Sequence, residues 1–242
     1  MSVVHRASAS REQITSRSGL IGYISAVIAV LVKDSRCELR SKQSISAVLL
    51  FAVTSTVAVS FTLGAQGQSS AIASTLLWVV IYFSAMAGLS RSFVHEVETY
   101  TAPLLKLAAK PNSVYLGKLA FNFLTLIALD IVTVPLFIIL MGCGISKPGL
   151  FIALLLLGSL ALSAGATMAA AMVSRASSKG ALFAAISFPL LVPALGLAIS
   201  GTNIAMGGDA VLTAANCLHL LAYYCGVVIT ASLMLFRFVW ED

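Results

Sequence analysis

The residues whose types could support chemistry are concentrated in one polar stretch, RSFVHEVETYTAPLLKLAAKPNSVYLGK, residues 91–118. It contains two glutamates, Glu96 and Glu98, four lysines or arginines, and a proline near its middle. Elsewhere the sequence has no HExxH or GxSxG motif and no paired-carboxylate site. Metal-assisted and nucleophilic hydrolysis need such arrangements. We therefore expect no catalytic residues and no enzymatic activity in this chain.

The sequence also lacks the motifs that bind metal ions or nucleotide phosphates. The four cysteines show no CxxC or other metal-like spacing, so no metal site is expected. Gly117-Lys118 is followed by leucine and lacks the upstream glycine of a GxxxxGK[ST] loop. Without that loop the chain has no cradle for nucleotide phosphates. If ATP drives this protein, a separate chain must hydrolyse it.

The composition is that of an integral membrane protein. Of the 242 residues, 59% are hydrophobic and only 10% are charged, and the mean hydropathy is +1.00. Soluble domains carry about 25% charged residues, and a domain of this size could not bury so much apolar surface. The apolar runs are continuous rather than alternating, which predicts helices instead of barrel strands. The net charge of +6 then reports membrane topology rather than nucleic-acid binding.

Six apolar runs are long enough for transmembrane helices, since a helix needs about 20 residues to cross the hydrocarbon core. Lys and Arg collect in the N-terminal region, in residues 91–118 and in residues 175–179. The links between these segments carry only Lys147 and Asp209. The positive-inside rule therefore places both termini in the cytoplasm. The predicted spans are Ile45–Leu63, Ala71–Ser90, Leu116–Met141, Gly149–Val173, Gly180–Ser200 and Val211–Val239.

The segment before the first span predicts a helix that lies on the membrane. Leu20–Val32 is apolar but has only 13 residues, too few to cross. Its large apolar residues recur along one helical face, and no cleavage site for a signal peptide follows. We therefore expect one transmembrane domain over residues 1–242. It would comprise a flexible basic cytoplasmic tail (1–19), an interfacial helix and cytoplasmic entry (20–44), and a six-span bundle (45–240).

The polar stretch becomes a cytoplasmic loop between the second and third spans in this topology. Within it, APLLKLAAK predicts a short, mostly apolar helix with Pro103 in its first turn. Pro111 ends that helix. This short helix, which contains Leu104 and Leu105, has two interpretations. The segment is either a solvated linker or a knob that docks on a cytosolic partner.

Several residues inside the predicted spans invite a functional interpretation. Asp130 is the only acidic residue deep in a span. A charge at mid-membrane costs roughly 2.5–3.5 kcal/mol, so Asp130 should face the bundle and be paired or protonated. It could position a moving helix or a substrate, or simply anchor two helices. Pro135, Pro189 and Pro193 are expected to kink the third and fifth spans.

Five fragments occur in a characteristic order: LVKDSRCELRSKQSISAVLLF, LSRSFVHEVE, NSVYLGKLAFN, SFPLLVPAL and FRFVWED. Together with the layout of an interfacial helix, six spans and a loop after the second, they resemble the permease subunits of type-2 ABC exporters. More narrowly, the chain resembles the cytochrome c maturation permease, the haem exporter protein B family, over about residues 31–241. The resemblance implies an all-α integral membrane fold and a multi-pass protein of the bacterial inner membrane.

The resemblance implies a role for the polar loop. Arg91, Phe93, Glu96 and Glu98 fall in the segment that touches the ATPase subunit. Thr99-Tyr100-Thr101 stands where relatives usually have a glycine, so the geometry of the turn is expected to differ. The implied partners are an ABC ATPase subunit, a haem-handling membrane subunit and a periplasmic haem chaperone, and a second permease copy is also expected. The implied function couples ATP hydrolysis to haem export or to release of the haem-loaded chaperone.

Two other functions compete with this one. The chain could be a type-2 ABC permease for a drug or a lipid-linked molecule, or a membrane scaffold that does not move. His219 lies near Cys217 and Met206 and is the one candidate axial ligand for haem. A lone histidine at a helix end is more often hydrogen-bonded than ligating. We therefore expect no cofactor bound directly by this chain, with ATP held by the partner and haem handled by the complex.

Overall fold

The computed structural model describes residues 22–38, 43–63, 69–93, 96, 101–174, 179–209 and 212–241. These residues are all helical or in short connections, with eight helices of four residues or more and no strand among them. In chain order the helices are α1 (residues 22–38), α2 (Gln43–Leu63), α3 (Ser70–Leu89), α4 (Ala102–Ala108), α5 (Pro111–Met141), α6 (Pro148–Val173), α7 (Lys179–Ala205) and α8 (Ala214–Glu241).

The helix boundaries follow local sequence signals. Ser69 caps α3, and its hydroxyl accepts a hydrogen bond from the backbone N–H of Ile72 at 3.4 Å. Pro111 lies in the first turn of α5, where its missing N–H costs nothing. That helix ends at Gly142, whose φ of 63° is the left-handed conformation that glycine adopts most readily. The short helix predicted around Pro103 is present as α4.

The number of membrane-crossing helices is the main difference from the sequence-based expectation. Among the described residues, five helices are long and apolar enough to cross a bilayer, namely α3, α5, α6, α7 and α8. The predicted first span, Ile45–Leu63, lies within α2, whose qualifying apolar section is the shorter Ser46–Thr62. The fold is therefore an all-α membrane architecture with five long candidate spans among the described residues. The sixth predicted span would have to be α2.

Helix α6 is the centre of the bundle and packs against α5, α7 and α8. Its small residues let neighbours approach its backbone. A Cβ at Gly158 would lie 2.0 Å from the Trp78 ring, and one at Gly165 would lie 2.5 Å from Leu191. Trp78 in turn donates a hydrogen bond to Thr202 at 2.9 Å. The small residues of α6 thus serve packing within the chain.

The first helix packs on the start of α5. A Cβ at Gly117 would lie 2.7 Å from Val30, and Val30 itself is buried. The helix extends over residues 22–38, six residues past the predicted Leu20–Val32, because Lys33 and Asp34 find partners there. The basic tail predicted for residues 1–19 lies outside the described residues.

The three prolines that we expect to kink the spans all lie inside helices. Pro135 is within α5, and Pro189 and Pro193 are within α7. Helical structure continues on both sides of each proline. The kinks themselves stay predictions.

Candidate functional site

Lys118, in the second turn of α5, is the centre of a buried cluster of charges. Its side chain is only 1% exposed. Its ammonium group lies 2.8 Å from Glu96 Oε1 and 3.2 Å from Asp34 Oδ2. It also donates to the backbone carbonyl of Ser92 at 2.6 Å and lies 4.7 Å from the centre of the Phe93 ring. A buried ammonium is tolerated only with such a set of partners.

A second lysine completes the cluster. Lys33 Nζ lies 2.6 Å from Glu96 Oε1 and 2.8 Å from Asp34 Oδ1. Two lysines and two carboxylates therefore share one site, which we call the ion cluster (Lys33, Asp34, Glu96 and Lys118). Its formal charge is zero. Lys33 is the only partly exposed member, and Glu96 is 2% exposed.

The neighbouring charges set the ionisation of Glu96 and Lys33. Burial by itself would raise the pKa of Glu96, but the two lysines outweigh burial and hold that pKa below its usual range. Burial would lower the pKa of Lys33, but its bonds to Asp34 and Glu96 raise that pKa above its usual value. Glu96 and Lys33 are therefore both charged at neutral pH.

The ion cluster connects three parts of the chain that are far apart in sequence. Lys33 and Asp34 come from α1, Glu96 from the segment after α3, and Lys118 from α5. One further link reaches the central helix. Asn122, one turn after Lys118, donates to Thr167 of α6 at 2.7 Å and exchanges hydrogen bonds with the Ser92 hydroxyl. Ser92 and Glu96 of the polar loop are therefore bonded to α1 and α5, and through Asn122 to α6.

An aromatic cluster ties the last helix to the same loop. The Phe93 ring lies 5.7 Å from Phe236 and 5.8 Å from Trp240 of α8, measured between ring centres. Tyr115 of α5 lies 5.4 Å from Phe236. Lys106 of α4 lies 5.9 Å from the centre of the Trp240 ring. The loop is thus held from two sides, by the ion cluster and by these rings.

Helix α4 presents apolar side chains outward. Leu104 is 67% exposed and Leu107 is 87% exposed. Leu105, which the sequence analysis paired with Leu104, is half-buried and packs against the hydrophobic core. Arg91, at the start of the loop, is exposed. Of the predicted coupling residues, Arg91 and Leu104 are therefore exposed, and Leu107 is a further exposed leucine that the prediction did not include.

The other predicted loop residues lie elsewhere. Phe93 and Glu96 are buried in the aromatic and ion clusters, so neither can touch a partner protein directly in this conformation. Glu98 lies outside the described residues. The loop residues identified from the sequence therefore divide into a buried pair and an exposed surface.

Sequence reasoning missed Lys33, Asp34 and Lys118 as site residues. A signal for Lys118 was present, because it falls inside the predicted span Leu116–Met141, where an ammonium group needs a partner. Nothing in the sequence indicated which partner it would take. Asp34 and Glu96 are 84 and 22 residues away from it in sequence, and only the folded structure brings them together.

Asp130 lies apart from the ion cluster, between α5 and α6. Its carboxyl group is buried, and Oδ2 accepts a hydrogen bond from the Ser159 hydroxyl at 2.6 Å. The other oxygen, Oδ1, has no hydrogen-bond partner. Asp130 is thus joined to α6 by a single bond, and none of the four ion pairs found in the described part of the chain includes it.

The structure contains no metal-like arrangement in the part that it describes, where no group of three or more His, Cys, Asp or Glu residues could hold an ion. His219 is exposed, and its ring lies 6.5 Å from Tyr223. Cys217 is buried. Neither residue takes part in the clusters described above.

Comparison with known proteins decides the family. The model of the family described as CcmB protein matches residues 25–239. The chain belongs to the CcmB family. No curated protein matches it. The matched region contains all four members of the ion cluster, α4 and Asp130.

Family membership gives the general function. CcmB proteins, the haem exporter protein B family, are membrane components of an ABC system for haem export and cytochrome c maturation. The chain is therefore a membrane transporter subunit and not a catalytic enzyme. It is a multi-pass membrane protein, and its family works with other components of cytochrome c maturation.

Proposed function

We propose that this CcmB-family chain is the permease subunit of an ABC complex and that its polar loop, residues 91–118, receives the movement of a partner ATPase. ATP hydrolysis in that partner would drive haem export or the release of a haem-loaded periplasmic chaperone. The observation that carries the proposal is the ion cluster, because it joins the loop to α1 and α5 through buried, charge-assisted bonds of 2.6–3.2 Å. Such bonds are short, strong and directional, and movement of the loop would pass through them to both helices.

The surface that would meet the ATPase is α4. Leu104 and Leu107 give α4 an exposed apolar surface, which suits contact with a partner protein or with the lipid boundary. Lys106 lies over Trp240, which fixes α4 to the end of α8. A push on α4 would therefore reach the aromatic cluster and then the ion cluster. Glu96 and Lys118 act as transmitting residues in this mechanism rather than as contact residues.

The membrane arrangement belongs to the same proposal. The end of α3, the start of α5 and the end of α8 meet at the aromatic cluster, so these three ends share one side of the membrane. The excess of Lys and Arg in this region makes that side the cytoplasm. With α2 crossing as the first of six spans, both termini are cytoplasmic, and the membrane is the bacterial inner membrane. The ATPase, a haem-handling membrane subunit, a periplasmic chaperone and a second permease copy complete the assembly.

Photo-crosslinking tests where the loop binds. A photoreactive residue is placed at Leu104 in the full complex in cells, and the captured protein is identified by mass spectrometry. Leu124 is the matched control, because it is also an exposed leucine but lies in the membrane part of α5. We expect Leu104 to capture an ATPase subunit and Leu124 to capture none. Capture of lipid alone, or of a second copy of this chain, would contradict the proposed docking.

A second experiment tests transmission. Glu96→Gln keeps the shape of the side chain but removes the charge that holds both lysines. If the ion cluster transmits movement, the ATPase should still bind and hydrolyse ATP, while cytochrome c assembly falls at least about fivefold, the lower end of typical coupling energies. Normal assembly with this variant would favour the scaffold interpretation. Normal assembly in a strain lacking the chain would point to a different cargo.

A further inference from the structure

The interface between α5 and α6 carries a second polar site, deep in the membrane part of the bundle. Asp130 lies 11 residues before the end of α5 at Met141, and Ser159 lies 11 residues after the start of α6 at Pro148. At 1.5 Å per residue, both are about 16 Å from the connection between the two helices. That is about half of the 30 Å hydrocarbon core. The Asp130–Ser159 bond is therefore near the middle of the membrane.

Three buried oxygen atoms in this region have no hydrogen-bond partner. They are Asp130 Oδ1, the Thr133 hydroxyl and the Ser163 hydroxyl. Thr133 is one turn from Asp130 on α5, and Ser163 is one turn from Ser159 on α6, so each pair shares a helix face. Both hydroxyl residues are fully buried, at 0% exposure. We call these four residues (Asp130, Thr133, Ser159 and Ser163) the Asp130 site.

Unpartnered buried oxygens are uncommon in folded proteins, and those that occur usually bind an ordered water molecule or an ion. Because α5 and α6 are antiparallel, Thr133 lies on the outer side of Asp130 and Ser163 on its cytoplasmic side. The free hydroxyls thus flank the carboxyl group in both directions. This arrangement offers donors and acceptors for a short row of water molecules rather than for one.

Polar residues continue from the Asp130 site toward the ion cluster. One turn beyond Ser163, Thr167 donates to the Ser163 carbonyl at 2.6 Å and accepts from Asn122 at 2.7 Å. Asn122 bonds to Ser92, whose carbonyl accepts from Lys118. A polar row therefore runs along one helix interface from the partly exposed ion cluster to mid-membrane. Its length is about 18 Å, because Asp130 is 12 positions after Lys118 on α5.

We infer that the Asp130 site is a hydrated proton-binding site that exchanges with the cytoplasmic side. Asp130 is held as a neutral carboxylic acid, because it takes part in none of the ion pairs among the described residues and an unpaired carboxylate at this depth is costly. Water molecules bond to Oδ1, Thr133 and Ser163. Protonation forms an O–H bond on the carboxylate and breaks one in hydronium, which leaves as water, so no other reactant is needed.

Infrared spectroscopy of the reconstituted full-length protein tests this inference without the ATPase. The difference between wild-type and Asp130→Asn spectra at neutral pH isolates the carboxylic-acid carbonyl band of Asp130. Transfer to D₂O should shift that band as its proton exchanges. We expect the band to be present and to exchange readily in the wild type. Since the experiment requires no partner, its result does not depend on the coupling role of the polar loop.

Removing one hydroxyl tests the route. Ser163→Ala should slow the exchange of the Asp130 band by about tenfold, the factor that corresponds to one lost hydrogen bond of about 1.4 kcal/mol. Thr125→Val is the matched control, because the Thr125 hydroxyl bonds only to Phe121 one turn earlier. A band that never exchanges would show a dry interface and overturn the inference. An ionised Asp130 whose carboxylate band moves on addition of Na⁺ or K⁺ would replace the proton with a cation and overturn it as well.

Discussion

The ion cluster and the Asp130 site are both buried, yet they satisfy their charges in opposite ways. In the ion cluster, two lysines and two carboxylates neutralise one another, and four bonds connect three segments of the chain. At the Asp130 site, one carboxyl group has one hydroxyl donor, and three oxygens remain without a partner. The first arrangement holds segments together, because removing any member leaves a charge behind. The second arrangement contributes little to holding the helices together, and its unpartnered oxygens can bind water and a proton.

The largest effect should come from removing the central cation. Lys118→Met leaves Glu96 and Asp34 with only the partly exposed Lys33, and breaking a buried pair in this way costs about 3–5 kcal/mol. We expect a marked fall in the thermal unfolding temperature of the purified protein in detergent. The exposed Lys147→Met should leave it unchanged. Recovery of much of the stability in Lys118→Met/Glu96→Leu would show that the loss comes from the stranded charge, and an unchanged unfolding temperature in Lys118→Met would show that the ion cluster is not a joint.

Acidification should also weaken the ion cluster, with a smaller loss of stability than Lys118→Met causes. The pKa of Glu96 is lower in the folded protein than its ordinary value of about 4.3, so its contribution to stability is present above that pH. It is lost as the pH falls through the lower folded pKa. Thermal unfolding measured from neutral to acid pH should show this decline in the wild type. The decline should be flatter in Glu96→Gln, and identical curves would exclude Glu96 as its source.

Breaking the link to α6 should have an intermediate effect. Asn122→Leu removes the hydrogen bonds to Thr167 and Ser92 and leaves polar atoms unpaired, at a cost of about 1–3 kcal/mol. Thr125→Val on the same helix, whose hydroxyl bonds only within its own turn, should cost less than about 0.5 kcal/mol. Equal unfolding temperatures for the two variants would mean that the Asn122 link carries no stability.

The smallest effect should be at the Asp130 site. Asp130→Asn keeps an oxygen that can accept from Ser159, so we expect a change within about 1 kcal/mol, measured by the same thermal unfolding. A loss as large as that of Lys118→Met would show that Asp130 is ionised and paired. In that case the contrast between the two sites would disappear.

Much of the fold follows from the sequence alone. Apolar run lengths and prolines predict the helix positions, and α4 follows from Pro103 and Pro111. Helix α5 begins at Pro111, five residues before the predicted span Leu116–Met141. The first span is the weak point, because Ser46–Thr62 is shorter than the other apolar sections. The site is harder to predict. Glu96 and Phe93 lie in a recognisable segment, but Lys33 and Asp34 meet them only through tertiary packing that no local pattern records. The sequence also could not predict that the hydroxyls of Thr133 and Ser163 would be buried without a hydrogen-bond partner.

Gly117 adds a constraint of another kind to the ion cluster. Because Gly117 has no side chain, Val30 of α1 packs directly against the backbone of α5 at this position. The next residue of α5, Lys118, forms the ion pair with Asp34 of α1. The Val30–Gly117 contact and the Asp34–Lys118 ion pair both depend on the same position of α1 against α5, so we expect these residues to vary together among relatives. Across aligned CcmB sequences we expect substitutions at the positions of Gly117 and Val30 to compensate each other in volume. In a CcmB sequence with large residues at both positions, the first helix would have to pack on the helix equivalent to α5 in a different position.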